Sequence, residues 1–144
     1  MALNTYLHLK LNNTNVQGGV TQKGREGTIL VTSLEWAFDS DGNVGEVKFT
    51  AELDQETPKI STGLKNGAVV DALFDFYQPS SQLGTEVKVF TLHGTGGLVT
   101  SVNFWQLNTK DPNLVRYETT VQYTMSFAQI EQVWVPTGDT VTIP

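Results

Sequence analysis

The chain has 144 residues, 39% of them hydrophobic and 17% charged, a length and composition that fit one globular domain spanning residues 1–144. Nine basic residues against fifteen acidic residues give a net charge of −6, which excludes the basic surface used to bind nucleic acid or anionic membranes. The absence of cysteine excludes disulfide bonds, thiolate zinc sites and thiol nucleophiles.

The N-terminal sequence lacks the features of a secretory signal peptide. Residues 1–9 contain no basic segment followed by a long apolar run. No window of the sequence approaches the roughly 18 to 20 apolar residues that a membrane-spanning helix needs. We therefore expect the protein to fold in the cytoplasm, and any export to use a route that accepts the folded molecule.

The first strand is predicted where apolar residues alternate near the N-terminus. Leu7, Leu9 and Leu11 follow a two-residue period, which places one face of a strand on a core. The intervening residues, on the opposite face, are Tyr6, His8 and Lys10. Residues 12–27 are rich in Asn, Gln, Thr and Gly and show no apolar period. They are predicted to form a long surface loop, a type of segment that often carries interactions.

Two further strands are predicted on either side of a turn. The residues of the second strand that are predicted to face the core are Leu30, Thr32, Leu34, Trp36 and Phe38. The third strand has the clearest alternation in the chain, and its predicted core residues are Val47, Phe49, Ala51 and Leu53. Between the two strands, residues 39–43 favour a hairpin with a type I′ turn at Asp41-Gly42 or Gly42-Asn43.

A single short helix is predicted after the third strand. Thr57 can cap the first free amides, and Pro58 suits the first helical position. Ile60 and Leu64 are four residues apart, so they lie on one face of a helix. The helix is therefore predicted to run from about Pro58 to Asn66, just before a glycine that can end it.

The second half of the chain predicts further strands. The first of them has the core residues Val70, Ala72, Phe74 and Phe76. Residues 87–107 surround the glycine-rich residues 93–97, so they indicate either two strands or one bulged strand. The last strand begins near Val121. Its apolar residues change from odd-numbered to even-numbered positions at Ala128 and Gln129, and this indicates a bend or bulge.

These patterns together place the protein in the all-β class. Seven or so strands with alternating faces and a single helix favour an antiparallel barrel or sandwich. No internal repeat, linker or low-complexity segment divides the chain. We therefore expect one β domain with one short flanking α-helix.

The sequence carries no motif for catalysis or metal binding. His8 and His93 lie outside any catalytic motif, and no serine stands in a Gly-x-Ser-x-Gly context. Residues 39–43 resemble the start of a calcium loop, but the required glycine would fall at Val44 and the bidentate glutamate at Thr50. We expect no enzyme activity, no cofactor and no bound metal, and we expect both histidines to be dispensable for function.

The three tryptophans are the remaining candidates for a binding surface. Trp36, Trp105 and Trp134 are able to form a platform that stacks on carbohydrate, as in β-sandwich binding modules. Trp36 shares the parity of Leu34 and Phe38, so it is predicted to lie in the core. Exposed aromatic residues on an acidic β domain without catalytic motifs more often mark a protein interface than a sugar site.

The order of several segments resembles a known family. These segments are Met1-Ala2-x-x-x-Tyr6-Leu7-x-Leu9, Leu34-Glu35-Trp36-Ala37-Phe38, Val47-x-Phe49-x-Ala51-x-Leu53-Asp54, Thr57-Pro58-Lys59-Ile60-x-x-Gly63-Leu64-x-Asn66-Gly67 and Phe127-Ala128-Gln129-Ile130-Glu131. In order and spacing they resemble the Hcp family over nearly the whole chain. Two segments depart from the family pattern: Gln17-Gly18-Gly19-Val20 stands where Gly-Glu-Ser is usual, and the turn at residues 39–45 is short.

The resemblance implies a structural role in a bacterial type VI secretion system. It implies a β-barrel with one flanking helix that closes into hexameric rings, which stack into a tube expelled by sheath contraction. The implied partners are other copies of the chain and the sheath, spike and effector proteins of the machine. The implied location is the cytoplasm during assembly and the extracellular space after secretion without a signal peptide. A phage-type tail tube protein and a carbohydrate- or ligand-binding β domain are the alternatives.

Two polar segments are the candidate contacts between stacked rings. Both contain glycine and lack the alternating apolar residues of a strand that faces the core, so we expect them to govern stacking rather than folding. We also expect them to lie on opposite or adjacent ring faces. The candidate residues are Asp39, Asp41 and Asn43 in the turn, and Gln17, Lys23, Arg25 and Glu26 in the loop.

Overall fold

The computed structural model describes residues 3–42, 44–80, 85–106, 108–113 and 119–144. Within these ranges, nine strands and one helix follow one another along the chain. They are β1 (Asn4–Leu11), β2 (Thr14–Val16), β3 (Ile29–Glu35), β4 (Val47–Glu52), α1 (Glu56–Asn66), β5 (Val70–Pro79), β6 (Glu86–Trp105), β7 (Thr120–Ser126), β8 (Gln129–Trp134) and β9 (Asp139–Ile143).

Six of the strands close into an antiparallel barrel. The hydrogen-bonded order β1-β3-β4-β7-β6 is closed by β5, which pairs with both β1 and β6. The short strand β2 pairs with β1 beside β3, and the β8–β9 hairpin continues the sheet outward from β6. The predicted fold class, an all-β barrel of antiparallel strands with one short helix, is confirmed.

The barrel interior is filled by alternate side chains of its strands. Phe49 is fully buried, and its ring centroid lies 5.3 Å from those of both Phe74 and Tyr123. Val47 and Ala51 flank Phe49 on the same face of β4 and are also buried, as the alternation predicts. Leu53, predicted to extend this row, lies beyond the end of β4 and is 52% exposed. The core prediction for this strand is therefore wrong at its last position.

The helix starts earlier than predicted and is joined to the core by a buried hydroxyl pair. It begins at Glu56 after the N-cap Gln55, so Thr57 is not the cap. Thr57 Oγ1 lies 2.8 Å from Tyr123 Oη, and burial raises the pKa of Tyr123 to about 12, so its hydroxyl stays protonated. The predicted end is confirmed, because Gly67 follows the last helical residue in a left-handed conformation with φ +65°.

Ile60 is the apolar residue that joins α1 to the core. It is fully buried within the main hydrophobic cluster, as predicted. Leu64, predicted to share this face, is exposed instead, and Gly63 lies against Leu11. The helix therefore approaches the barrel closely at a position without a side chain.

The predicted core face of the second strand is wrong over its first half and at its last residue, Phe38, which is 51% exposed. Ile29 and Val31 are buried, whereas Leu30 is 42% exposed and Thr32 is exposed as well. A β-bulge between Val31 and Ser33 shifts the parity of β3 against β4, so that Leu34 packs against the core as predicted. A two-residue period cannot reveal such a shift, because the bulge adds one residue to the count.

Two strands were not predicted from the sequence. The predicted loop at residues 12–27 contains β2, which follows a tight turn in which Asn12 and Asn13 have φ values of +50° and +64°. Both residues adopt a left-handed conformation, which asparagine tolerates better than most residues. The other missed strand, β9, pairs with β8 and carries mostly exposed residues, so it has no apolar period.

The glycine-rich residues 93–97 do not break the chain into two strands. β6 is one continuous strand of 20 residues, bulged where it exchanges partners. A Cβ atom on Gly94 or Gly97 would come within 2.5 Å of the Phe127 ring, so these glycines let that ring lie on the strand. The parity shift near Ala128 is the bend between β7 and β8, as predicted.

We predict that Phe49→Ala lowers the free energy of unfolding by about 3–5 kcal/mol, because it leaves a cavity between two aromatic rings. Leu53→Ala is the matched control and should change stability by no more than about 0.5 kcal/mol, because Leu53 lies on the surface. Equilibrium urea denaturation of both variants measures the difference. A similar loss in both variants would contradict the observed end of the core row.

Candidate functional site

The two predicted contact segments lie at opposite ends of β3. The loop at residues 17–28 precedes this strand and the turn at residues 36–46 follows it. Seven strand residues at about 3.3 Å each separate the segments by about 23 Å. The structure therefore keeps the candidate residues in two groups. Asn43, one of the candidates, lies outside the described residues.

The turn at residues 39–42 is an exposed, hydrogen-bonded reversal. The Asp41 amide donates to Asp39 Oδ1 at 3.0 Å, and the Gly42 amide donates to the Asp39 carbonyl at 3.1 Å. Gly42 has φ +83°, whereas Asp41 has no positive φ, so the predicted type I′ turn at Asp41-Gly42 is wrong. The alternative at Gly42-Asn43 includes a residue outside those described. Asp39 and Asp41 are both exposed, as expected for contact residues.

The stem of this turn contains the first tryptophan. Trp36 is partly buried against the core, as predicted, and its indole N–H donates to the Gly45 carbonyl at 3.1 Å. Its ring lies 5.2 Å from that of Phe38, which is half exposed and bridges to Val44. The side chain of Trp105 lies outside the described residues.

In the loop at residues 17–28, Arg25 differs from the other candidates. Gln17, Lys23 and Glu26 are exposed, but only 8% of Arg25 is exposed. Arg25 Nη1 donates to Glu86 Oε1 at 2.7 Å, across a sequence separation of 61 residues. The expectation that the whole loop is free surface is therefore wrong at Arg25.

Two aromatic rings complete the environment of Arg25. Its guanidinium carbon lies 4.1 Å from the ring centroid of Tyr77 and 4.8 Å from that of Tyr6. Glu86 also accepts a hydrogen bond from the Asn4 amide. The hydrogen bonds from Arg25 and Asn4 hold the pKa of Glu86 below its usual value. We call these five residues the arginine clamp, because they fasten the loop to the outside of the barrel.

The other end of the loop is fastened to the start of the helix. The Gln55 side-chain amide donates to the Gly18 carbonyl at 2.6 Å. A Cβ atom on Gly18 would collide with the Thr28 carbonyl, and one on Gly19 would collide with the Asp54 carboxylate. The two adjacent glycines therefore allow the loop to lie directly on both neighbours.

The two histidines are bound to aspartates on the outer face of the barrel. His8 Nε2 lies 3.0 Å from Asp75 Oδ2, and His93 Nε2 lies 2.7 Å from Asp71 Oδ1. Both histidines stand opposite Leu73 in the strand register, one on each side of β5. Asp75 is buried and also lies 3.8 Å from Lys88 Nζ. These pairs join neighbouring strands.

The described residues contain neither a metal-binding cluster nor a membrane-spanning helix. In the part of the chain that the structure describes, no group of three or more His, Cys, Asp or Glu side chains is placed to hold a metal ion. None of the helical structure in these residues has the length and apolarity needed to cross a membrane. The described residues instead present polar loops, unpaired strand edges and exposed apolar side chains on a closed barrel.

The comparison with protein families identifies this arrangement. Residues 6–134 match the family described as "Type VI secretion system effector, Hcp", a span that runs from β1 to the last residue of β8. The chain belongs to the Hcp family. The resemblance carried by the sequence segments is thereby confirmed. A comparison with curated protein sequences gives no significant match.

Solved structures of Hcp proteins share the fold. The Hcp1 protein from E. coli EAEC 042, determined as a mutant, is 21% identical, with a TM-score of 0.83 over 98% of this chain and 97% of that chain. The secreted protein Hcp3 from Pseudomonas aeruginosa is 13% identical, with a TM-score of 0.83 over 98% and 97%. Hcp1 from Salmonella typhimurium is 19% identical, with a TM-score of 0.78 over 99% and 92%.

Two buried carboxylates, Asp75 and Glu56, and one half-buried carboxylate, Glu86, were missed as notable residues. Glu86 and Asp75 take part in the pairs described above, and Glu56 is buried at the start of α1. Only Glu56 left a signal in the sequence, because Glu52, Asp54 and Glu56 are acidic at alternate positions without a basic residue among them. The partners of Glu86 and Asp75 are distant in sequence and have no local pattern.

We predict that Arg25→Ala destabilises the protein by about 2 kcal/mol, because it removes a charged hydrogen bond and two cation–π contacts. Lys23→Ala, in the same loop but exposed, should change stability by no more than about 0.5 kcal/mol. The Glu86 pKa is lowered on folding, so the clamp stabilises the fold fully above the unfolded pKa of 4.5 and less as the pH falls further. The stability difference between parent and Arg25→Ala should therefore shrink in acid.

Urea denaturation between pH 7 and pH 3 measures this difference. A gap of constant size over that range would contradict an ionic clamp.

Proposed function

We propose that this chain is the tube subunit of a type VI secretion system, which forms hexameric rings that stack into an inner tube. The observation that carries the proposal is the family match, which spans residues 6–134 and thus nearly the whole barrel. Members of this family are components of the type VI secretion system. Ring formation, the stacking of rings and the residues that make these contacts are what we propose for this chain.

The open edges of the sheet support a ring. In the strand order of the described residues, β2 stands at one end and β9 at the other, and each pairs with one neighbour. An unpaired edge exposes backbone amides and carbonyls that another chain is able to cover. A contact between one of these edges and a different surface of the neighbouring copy is heterologous, and heterologous contacts form a ring when the rotation between copies closes.

An apolar face of the β8–β9 hairpin supports a lateral contact beside this edge. Trp134 is 44% exposed and Val141 is 50% exposed. Trp134 stands opposite Phe90 in the strand register, and all three residues line one shallow groove. Exposed apolar groups of this kind are typical of protein interfaces. We therefore propose that this face packs against the neighbouring subunit in a ring.

The two polar segments support stacking of the rings. They are separated by the length of β3, so one copy presents one segment at each end of that strand. We propose that Asp39, Asp41 and Asn43 contact one adjacent ring, and that Gln17, Lys23 and Glu26 contact the other. Arg25 supports this role indirectly, because the arginine clamp fixes the position of the loop.

The remaining partners and the location follow from the same proposal. A tube subunit contacts the surrounding sheath, the spike at its end and effector proteins in its lumen, and binds neither nucleic acid nor a membrane. It is assembled in the cytoplasm and secreted to the extracellular space. No catalytic step is required, and the histidine–aspartate pairs of the outer face serve the barrel.

Native mass spectrometry with negative-stain electron microscopy tests the proposal. A hexamer and closed rings are expected. A strictly monomeric protein at tens of micromolar would contradict the proposal. A monomer that binds oligosaccharides would instead favour the carbohydrate-binding alternative, and a tube found only with phage proteins would favour a phage-type tail tube.

We predict that Val141→Asp weakens ring formation by about 2 kcal/mol or more, because it places a carboxylate in the apolar contact. Thr142→Asp is the matched control: it adds the same charge one residue further on β9, where the side chain faces the other way. Sedimentation velocity over a concentration series measures the ring population. Equal loss in both variants would contradict the role assigned to this face.

We also predict that Asp39→Lys with Asp41→Lys weakens stacking and leaves the ring intact, because it replaces two acidic side chains at the tip of an exposed turn by two basic ones. The control is Asp39→Asn with Asp41→Asn, which keeps a side-chain oxygen for the turn hydrogen bond and should weaken stacking less. Electron microscopy counts tubes against single rings. Unfolding of the monomer, or unchanged tubes, would show that the turn has another role.

A further inference from the structure

An open acidic cleft lies between the loop at residues 17–28 and the junction of β4 with α1. Its volume is about 320 Å³. Three carboxylates line it: Glu52 at the end of β4, Asp54 in the connection, and Glu56 in the first turn of the helix. The opposite wall is the loop segment from Gly19 to Gln22. We refer to this feature as the acidic cleft.

The deepest of the three carboxylates has no partner for one of its oxygens. Only 2% of Glu56 is exposed, and its Oε2 makes no hydrogen bond to any residue that the structure describes. Burial raises the pKa of Glu56, and the nearby charges of Asp54 and Glu52 raise it further. A buried carboxylate without a partner is costly, so the cleft favours a positively charged group.

No cation of the same copy fills this role among the described residues. The ion pairs found there join His8 and His93 to aspartates, Lys88 to Asp75, and Arg25 to Glu86. None of them involves a carboxylate of the acidic cleft. Arg25, which belongs to the same loop, is directed away into the arginine clamp.

The shape of the cleft favours an alkylammonium group over a metal ion. Its three carboxylates are not placed as metal ligands in the part of the chain that the structure describes. Tyr6, Val20 and Leu30 give part of the lining an apolar character. A lysine side chain has a matching form, because its apolar stem packs on such a wall while its ammonium group reaches the carboxylates.

The cleft geometry also depends on the glycine at position 19. Gly19 lies so close to the Asp54 carboxylate that any side chain there would displace it. The loop and the acidic segment are thus held together without an intervening side chain, and the Gln55 amide fixes the same contact. The cleft is therefore built by two fastened segments.

We propose that the acidic cleft receives a lysine side chain from a second copy of this chain when the subunits assemble. The inference rests on the proposed function, since the loop that forms one wall is a proposed contact between rings. Charge complementarity supports this occupant, because six lysines of the described residues take part in no ion pair there. They are Lys10, Lys23, Lys48, Lys59, Lys65 and Lys110.

Zero-length cross-linking of a mixed assembly tests the proposal. Unlabelled and ¹⁵N-labelled protein are mixed, assembled and treated with a water-soluble carbodiimide, which joins a carboxylate to a lysine in direct contact. Peptide mass spectrometry then distinguishes links within a copy from links between copies. We expect light–heavy links from Glu52 or Asp54, both exposed, to a lysine of another copy.

A neutralised variant gives the second measurement. Glu52→Gln with Asp54→Asn should abolish these links and raise the concentration of half-maximal assembly by about tenfold. The matched control, Glu35→Gln with Glu131→Gln, removes the same charge elsewhere on the surface and should leave both the links and the assembly unchanged. Glu56→Gln should also weaken assembly, while circular dichroism confirms that the monomer is folded.

The outcomes separate this inference from the proposed function. Rings whose cleft carboxylates link only within their own copy, or not at all, would overturn the inference and leave the tube role standing. Absence of rings would overturn both. Titration with butylammonium chloride, followed by NMR, identifies the remaining alternative. If the salt shifts the amide signals of Gly19 to Gln22 but leaves assembly unaffected, the cleft binds a free cation. The proposal of a lysine from a second copy would then be wrong.

Discussion

The pairing of β5 with β1 is the constraint on which the rest of the structure depends. Eight residue pairs, from Asn4 opposite Tyr77 to Leu11 opposite Val70, return the chain to its first strand and close the barrel. Closure leaves no free edge among the six barrel strands. Among the described residues, the strands that end the sheet are therefore the appended strands β2 and β9, and any contact with another chain must use those strands, the loops or exposed side chains.

The fold could be predicted from the sequence where a two-residue alternation of apolar and polar residues determines which side chains are buried. β4 follows a strict alternation, and its inward residues, such as Phe49, are fully buried as predicted. β3 does not, because its bulge between Val31 and Ser33 changes which residues face inward. β9 shows no apolar period because nearly all of its residues are exposed, so its pairing with β8 leaves no trace in the sequence.

The candidate site could also be predicted only in part from the sequence. Polarity and the lack of core parity correctly indicated an exposed turn at Asp39 and Asp41 and an exposed loop at Lys23 and Glu26. They could not distinguish Arg25, because its burial depends on Glu86, 61 residues away, and on tyrosines from two different strands. The acidic cleft was missed for a related reason, since its loop wall and its carboxylates come from separate segments.

The arginine clamp also has a thermodynamic consequence. A free loop of this length would sample many conformations, and a partner that bound it would have to restrict them at a cost of about 1 kcal/mol for each residue ordered. Here Arg25 fastens one part of the loop and Gln55 another before any partner arrives. Most of that conformational entropy is lost during folding rather than during association. Contacts made by this loop can therefore contribute more fully to affinity, as in other preorganised binding surfaces.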